Sequence, residues 1–209
     1  MIKRTGWVLL IIVLIACNNA RDIDKRKNGN TVDEHAGHQL AAGDNYCDSI
    51  NIGLIKEDTL KGSPSRTAMA TINGTHVHIA YSSPGVKGRM VWGGLVGYDK
   101  VWVAGAHKAT NVQFSKDVEI NGKRIAAGKY AFFAIPGEEK WIVILNTRFD
   151  QHLADDYNET EDIIRSEVKP REHPMTPRLT YRVHKINERS GEIIMQWEKM
   201  LVSIPFTTL

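Results

Sequence analysis

Two Asn-Gly dipeptides, Asn73-Gly74 and Asn121-Gly122, constrain this chain more than any other feature. The first lies between Thr67 to Ile72 and Thr75 to Ser82, the second between Val118 to Ile120 and Lys123 to Ile125. A type I′ turn needs positive φ at both central residues, and Asn and Gly supply it at least steric cost. Both sites therefore predict tight antiparallel hairpins. The other apolar runs are equally short. Val101 to Ala104, Asn111 to Ser115, Tyr130 to Ile135 and Trp141 to Asn146 read as strands, with Pro84 to Leu95 a Gly-containing loop or bulged segment. Asp162 to Lys169, Leu179 to Ile186, Glu192 to Glu198 and Leu201 to Phe206 follow, with Glu172 to Pro177 a loop. Pro205 has no amide proton to give a ladder and points to an edge or a bulge. Leu153 and Tyr157, four apart within Phe149 to Thr160, fit one short helix. The pattern predicts an all-β fold, an antiparallel β-sandwich or barrel of about ten short strands with at most one short helix.

The N-terminus has a different texture. Lys3 and Arg4 precede an apolar run from Trp7 to Ile15, which is short for a membrane span. It closes on Leu14-Ile15-Ala16-Cys17, which resembles the box that directs acylation of a cysteine in bacterial lipoproteins. The expected organisation is a lipoprotein signal peptide over 1–16, a flexible tether over 17–63 starting at lipidated Cys17, and one all-β domain over 64–209. An ordinary signal peptide or hydrophobic anchor is the alternative. The anchor implies a cell-envelope protein, expected at the outer membrane and exposed to periplasm or surface. Loss of Lys3 and Arg4 would take 27 basic residues to 25 against 24 acidic ones, a net charge of +1 instead of +3. So balanced a chain offers no nucleic-acid footprint. With Cys17 acylated, Cys47 has no partner for an internal disulfide.

Within the tether, Asp48-Ser49-Ile50 and Asp58-Thr59-Leu60 match a short O-glycan acceptor pattern at Ser49 and Thr59. His35 and His38, beside Asp33 and Glu34, have a metal-compatible spacing, but ordering a flexible segment opposes binding.

The stretch from Tyr81 to Asn146 carries most of the motifs. Tyr81-x-x-Pro84, Gly88-Arg89, Trp102-x-x-Gly105-Ala106-x-x-Ala109-Thr110, Gly128-Lys129-Tyr130 and Pro136-Gly137 with Trp141 occur in that order. Together they resemble the family called domain of unknown function 2911, common among exported proteins and lipoproteins of gram-negative bacteria. The resemblance covers roughly residue 63 to the C-terminus and implies an all-β, exported domain without an established reaction. Its central motif usually reads Trp-Arg-x-Gly-Ala-Asn-Glu-Ala-Thr. Here Val103, His107 and Lys108 stand in place of the Arg, Asn and Glu. A Lys offers donors where a carboxylate offers acceptors, which argues against catalysis at that position.

Three readings of function follow. The first is a lipid-anchored, non-catalytic domain binding a small ligand or an envelope protein through Tyr81, Arg89, Trp102, His107, Thr110 and Tyr130. Arg89 serves there as an anion clamp, or else it braces its own loop. Trp92 and Trp102, beside Gly-rich breaks, are the surface candidates among the tryptophans, and Trp141 and Trp197 read as core. The second is a metal-assisted enzyme in which His76 and His78, on one face of a strand, are joined by His107 around a divalent ion. The rival account of His76-x-His78 is two polar residues alternating with buried Val77 and Ile79. The third is a purely structural envelope component. No nucleophile elbow accompanies Ser82, Ser83, Thr110 or Tyr130.

Overall fold

The computed structural model describes residues 42–209. A helix, α1 (Ala42–Asn51), precedes ten strands. These are β1 (Ser65–Ile72), β2 (Thr75–Ser82), β3 (Thr110–Phe114), β4 (Val118–Ile120), β5 (Lys123–Ile125), β6 (Gly128–Ile135), β7 (Trp141–Asn146), β8 (Asp162–Val168), β9 (Arg171–Lys185) and β10 (Ser190–Thr208). Both expected hairpins form. Asn73 and Gly74 have φ of 49° and 71°, and Asn121 and Gly122 have 49° and 75°. They join β1 to β2 and β4 to β5.

The strands form two antiparallel sheets, in the orders β1-β2-β3-β6-β7-β8 and β5-β4-β10-β9. Neither closes on itself, so of the two expected architectures this is the sandwich. Period-two alternation supplies the core between the sheets. From β2 come Val77, Ile79 and Tyr81; from β10 come Ile193, Met195 and Trp197, then Val202, Ile204 and Phe206. The buried positions in β10 switch from odd to even numbers. A bulge at Glu198, whose φ is 55°, makes the switch, with register shifts on either side of it. Across each shift β9 advances four residues for two of β10, and the irregularity keeps both halves of β10 facing inward.

Several sequence expectations are corrected. The two runs Glu192 to Glu198 and Leu201 to Phe206 belong to one bent strand, because a bulge bends the chain without ending the ladder. Glu172 to Pro177 is strand, not loop: β9 is an outer strand of its sheet, where Pro174 and Pro177 need no second partner. Pro205 falls beyond the last β9 partner (Leu201 to Arg171) and before the first β4 partner (Thr207 to Glu119). Val101 to Ala104 is not a strand; a single bridge from Trp102 to Ala134 holds it to β6. The helix expected over Phe149 to Thr160 is absent. A turn at residues 153–156 and a 3-10 turn, Glu159–Glu161, capped by Asn158, replace it.

The one α-helix among the described residues lies instead inside the expected tether. Cys47 is fully buried and Ile50 nearly so, and the described part of this segment belongs to the same compact unit as the strands. Asp48 and Asp58, the acids of the two glycan-like triplets, pair with Arg66 and Arg178 of the strands. The folded unit therefore starts by residue 42 rather than 64, because two carboxylates and a buried helical face fix the intervening chain. The expected signal peptide over 1–16, Cys17 and the His35–His38 pair lie outside the described residues.

Gly191, at the start of β10, provides a test of the core. A methyl group there would collide with the Ile72 side chain and approach the Phe206 ring to 2.7 Å. Gly191→Ala is expected to destabilise the domain by about 1–3 kcal/mol, the usual cost of overpacking. Urea denaturation of both proteins measures it.

Candidate functional site

The Gly105 loop, at the centre of the sequence motifs, is a brace. Ala104 and His107 have φ of 49° and 64°, so the chain reverses sharply across Gly105-Ala106. The carbonyl of Ala104, exposed by that reversal, accepts from Thr110 Oγ1 at 2.9 Å and from Tyr181 Oη at 2.7 Å. The Trp102 indole donates to Gly105 O at 3.0 Å. A Cβ at Gly105 would lie 2.8 Å from Thr110 Oγ1, so the side chain of any larger residue would break the turn. Thr110 and Tyr181 are almost wholly buried. Their hydroxyls are consumed by one backbone oxygen that would otherwise be buried without a partner.

The six residues expected to line a rim do not meet. Tyr81 is buried with its ring edge-on to Tyr181, 4.8 Å between centroids, and the Arg66 guanidinium sits 5.8 Å from its ring centre. Tyr130 Oη donates to Ala126 O at 2.8 Å. Exposed Arg89 donates to the carbonyls of Val86 and Gly85 at 3.2 and 2.5 Å. It braces its own loop. His107 is exposed, and its carbonyl accepts the Leu153 amide at 2.7 Å. Trp102 and Thr110 belong to the brace just described.

The proposed histidine trio is also apart. His76 and His78 face the same way, with ring centroids 6.5 Å apart, and His76 Nδ1 lies 3.1 Å from Thr71 Oγ1. Gly105 packs against Ser82 at the opposite end of β2, which places His107 roughly 20 Å of strand from His76. Among the described residues no three His, Cys, Asp or Glu side chains form a metal-holding group.

Trp92 and Trp102 are not a free stacking platform. Both are half-buried and join Trp141 and Trp197 in one aromatic cluster. Trp92 meets Trp102, Trp141 and Trp197 edge-to-face at 5.8, 4.6 and 5.6 Å, while Trp102 stacks on Trp197 at 5.7 Å. These are the geometries that the ring quadrupole favours.

A site that the sequence did not suggest lies where β5, an edge of one sheet, meets β8, an edge of the other. An open groove of about 440 Å³ is lined by Asn121, Lys123, Glu159, Asp162, Ile163 and Arg165, among others. Its wall is organised around Asp162, whose side chain is only 5% exposed. One carboxylate oxygen accepts from Asn146 Nδ2 at 2.8 Å; the other accepts from Tyr157 Oη and Arg165 at 2.5 and 2.9 Å. Arg165 also donates to Tyr157 Oη at 2.7 Å. Burial and the hydrogen bond to Asp162 push the Tyr157 hydroxyl far above the usual tyrosine range, so it remains a donor. Lys123 caps the β8 carbonyl of Ile163 at 2.5 Å, and Asn121 reaches Ser166. These residues are too far apart in sequence, and too ordinary in type, to form a motif.

Comparison with known families gives one assignment. The model described as protein of unknown function (DUF2911) matches residues 63–206. The chain belongs to the DUF2911 family. No curated protein and no solved structure matches it. The matched region contains both sheets but for the last two residues of β10, the Gly105 brace and the groove, and begins after α1. At the positions where this chain departs from the motif, Val103 is buried against Ala131, Phe133 and Ile144. Lys108 is exposed and its backbone bridges to His152.

The brace predicts an alkaline limit to stability. Burial raises the Tyr181 hydroxyl well above the ordinary value of 10.0, and it raises Tyr81 in the same direction. Above pH 10 the unfolded chain loses these protons while the folded chain keeps them, so stability falls as pH rises. Tyr181→Phe is expected to flatten that slope. Urea midpoints between pH 8 and pH 11, at about one-unit steps, test it.

Proposed function

We propose that this DUF2911 member is a lipid-anchored, non-catalytic binding domain of the cell envelope. Its ligand site is the groove between β5 and β8. The observation that carries this reading is the fixed Asp162–Arg165 pair in the groove wall, with the Tyr157 hydroxyl bonded to both. Three charged or hydroxyl groups are held in one geometry before any ligand arrives, and pre-organisation of this kind lowers the entropic cost of binding. Exposed Lys123 and Glu159 add one charge of each sign at the rim. The suited ligand is small and polar, with both donors and acceptors: a sugar or a zwitterion.

A non-catalytic role is supported by how the reactive groups are used. Asp162 already accepts from three donors, which leaves little capacity to take a substrate proton. The hydroxyls of Thr110, Tyr130 and Tyr181 are engaged by backbone carbonyls. The lipid anchor rests on the Leu14-Ile15-Ala16-Cys17 box.

Titration with mono- and disaccharides and zwitterionic amino acids, followed by amide NMR, tests the groove. Shifts are expected at residues 121–123 and 159–165, and Lys123→Ala with Glu159→Ala should weaken binding at least tenfold without moving the melting temperature appreciably. Silence of the groove across the panel would support a purely structural component instead. For the anchor, Cys17→Ser is expected to remove acyl mass from the mature protein and shift it from the membrane to the soluble fraction.

A further inference from the structure

Arg178 occupies a second built site, independent of the groove. It has no solvent exposure, yet the carboxylate that neutralises it comes from Asp58, outside the family-matched residues 63–206. Arg66, 6% exposed, likewise takes Asp48 as its carboxylate at 2.7 Å. Both acids lie on the arm formed by residues 42–62.

The arm is held as a peptide is held in a binding cleft. Arg178 Nη2 donates to Asp58 Oδ1 at 2.9 Å, and Nε forms an ion pair with Oδ2 at 2.9 Å. The same guanidinium donates to the main-chain carbonyls of Leu60 and Gly62 at 2.5 and 3.2 Å, and Lys87 Nζ donates to Leu60 O at 2.5 Å. Asn51 makes a reciprocal pair with the backbone of Arg178, at 3.0 and 2.8 Å. Gly85 leaves the seat for the carboxylate: a Cβ there would stand 2.5 Å from Asp58 Oδ2. Recognition thus consists of one acid in a fork of donors plus backbone carbonyls under cationic caps, around a turn in which the Leu60 amide donates to Asp58 Oδ1 at 3.2 Å, a chemistry that reads an acidic turn. The arm's apolar side chains contribute less: Cys47 and Ile50 are buried, while Ile52 and Leu54 are 65% and 74% exposed.

We propose that the Arg178 cleft is a binding site for an acidic peptide turn, occupied in the free protein by the chain's own residues 57–62 and opened when the arm is displaced. The incoming peptide supplies an aspartate to Arg178 and carbonyl oxygens to Lys87 and Arg178, as the arm does. Displacement leaves the guanidinium hydrated, whereas truncating Asp58 beneath a seated arm would leave it buried and uncompensated.

The test uses the full chain with a protease site inserted between Gly62 and Ser63. After cleavage, a fluorescent peptide of residues 42–62 is added and its uptake followed by anisotropy. The labelled peptide is expected to exchange into the cleft, its Asp58→Asn version to bind at least tenfold more weakly, and Gly85→Ala in the receiving chain to block both. The near-ultraviolet circular dichroism of the tryptophan cluster should persist while the arm is absent. Failure of the peptide to exchange, equal binding of the Asn version, or loss of the tryptophan signal with the arm would each make the arm a fixed part of the fold and overturn the proposal.

Discussion

The buried charge of Arg178 is the constraint around which one end of the sandwich is arranged. A guanidinium without access to water has to be neutralised and hydrogen-bonded, or the folded state pays its full desolvation cost. Here the requirement is met from several distant stretches: the Ser83 carbonyl at the end of β2, carbonyls at 60 and 62, and the Asp58 carboxylate. The chain around it follows suit. Val86 and Leu179 amides donate to Pro177 and Pro84, so a short ladder crosses from the β2 exit to β9. Ser83 Oγ closes the gap by donating to Leu179 O at 2.7 Å. One cation therefore ties together the exit of β2, the outer strand of the four-stranded sheet and the arm that precedes them.

At the middle of the sandwich the work is done by aromatic rings and by one backbone oxygen. The four clustered tryptophans come from both sheets and from the loops between β2 and β3, so their contacts bind loop to core. The Ala104 carbonyl then takes two hydroxyls from opposite sides, Thr110 on β3 and Tyr181 on β9. A dense motif such as Trp102-x-x-Gly105-x-x-x-x-Thr110 invites an active-site interpretation. In this fold each of its side chains is spent on holding a reversal of the chain in place.

Much of the sheet structure was legible because its signals are local. An Asn-Gly pair needs only its own φ angles to make a hairpin, and alternation in Thr75 to Ser82 needs only the pleat. The placement of Trp141 and Trp197 in the core was legible for the same reason. The Glu198 bulge was not, since a parity change over three residues looks like a strand end until the partner β9 is present. Nor was the folding of residues 42–63: Asp48 and Asp58 resemble solvated tether until Arg66 and Arg178 are brought beside them. Lys123 and Arg165 gave no hint of a shared groove, because 42 residues of sequence separate them.

By itself, then, the sequence determined the fold class, the two tight turns, the family and the chain's inward-facing residues, all properties set within a few residues of backbone. Tertiary structure alone decided which buried polar groups find each other. Charges and hydroxyls act over a few ångströms, and only the closure of two sheets brings Asp58 to Arg178, Tyr181 to Ala104 and Arg165 to the wall opposite Lys123.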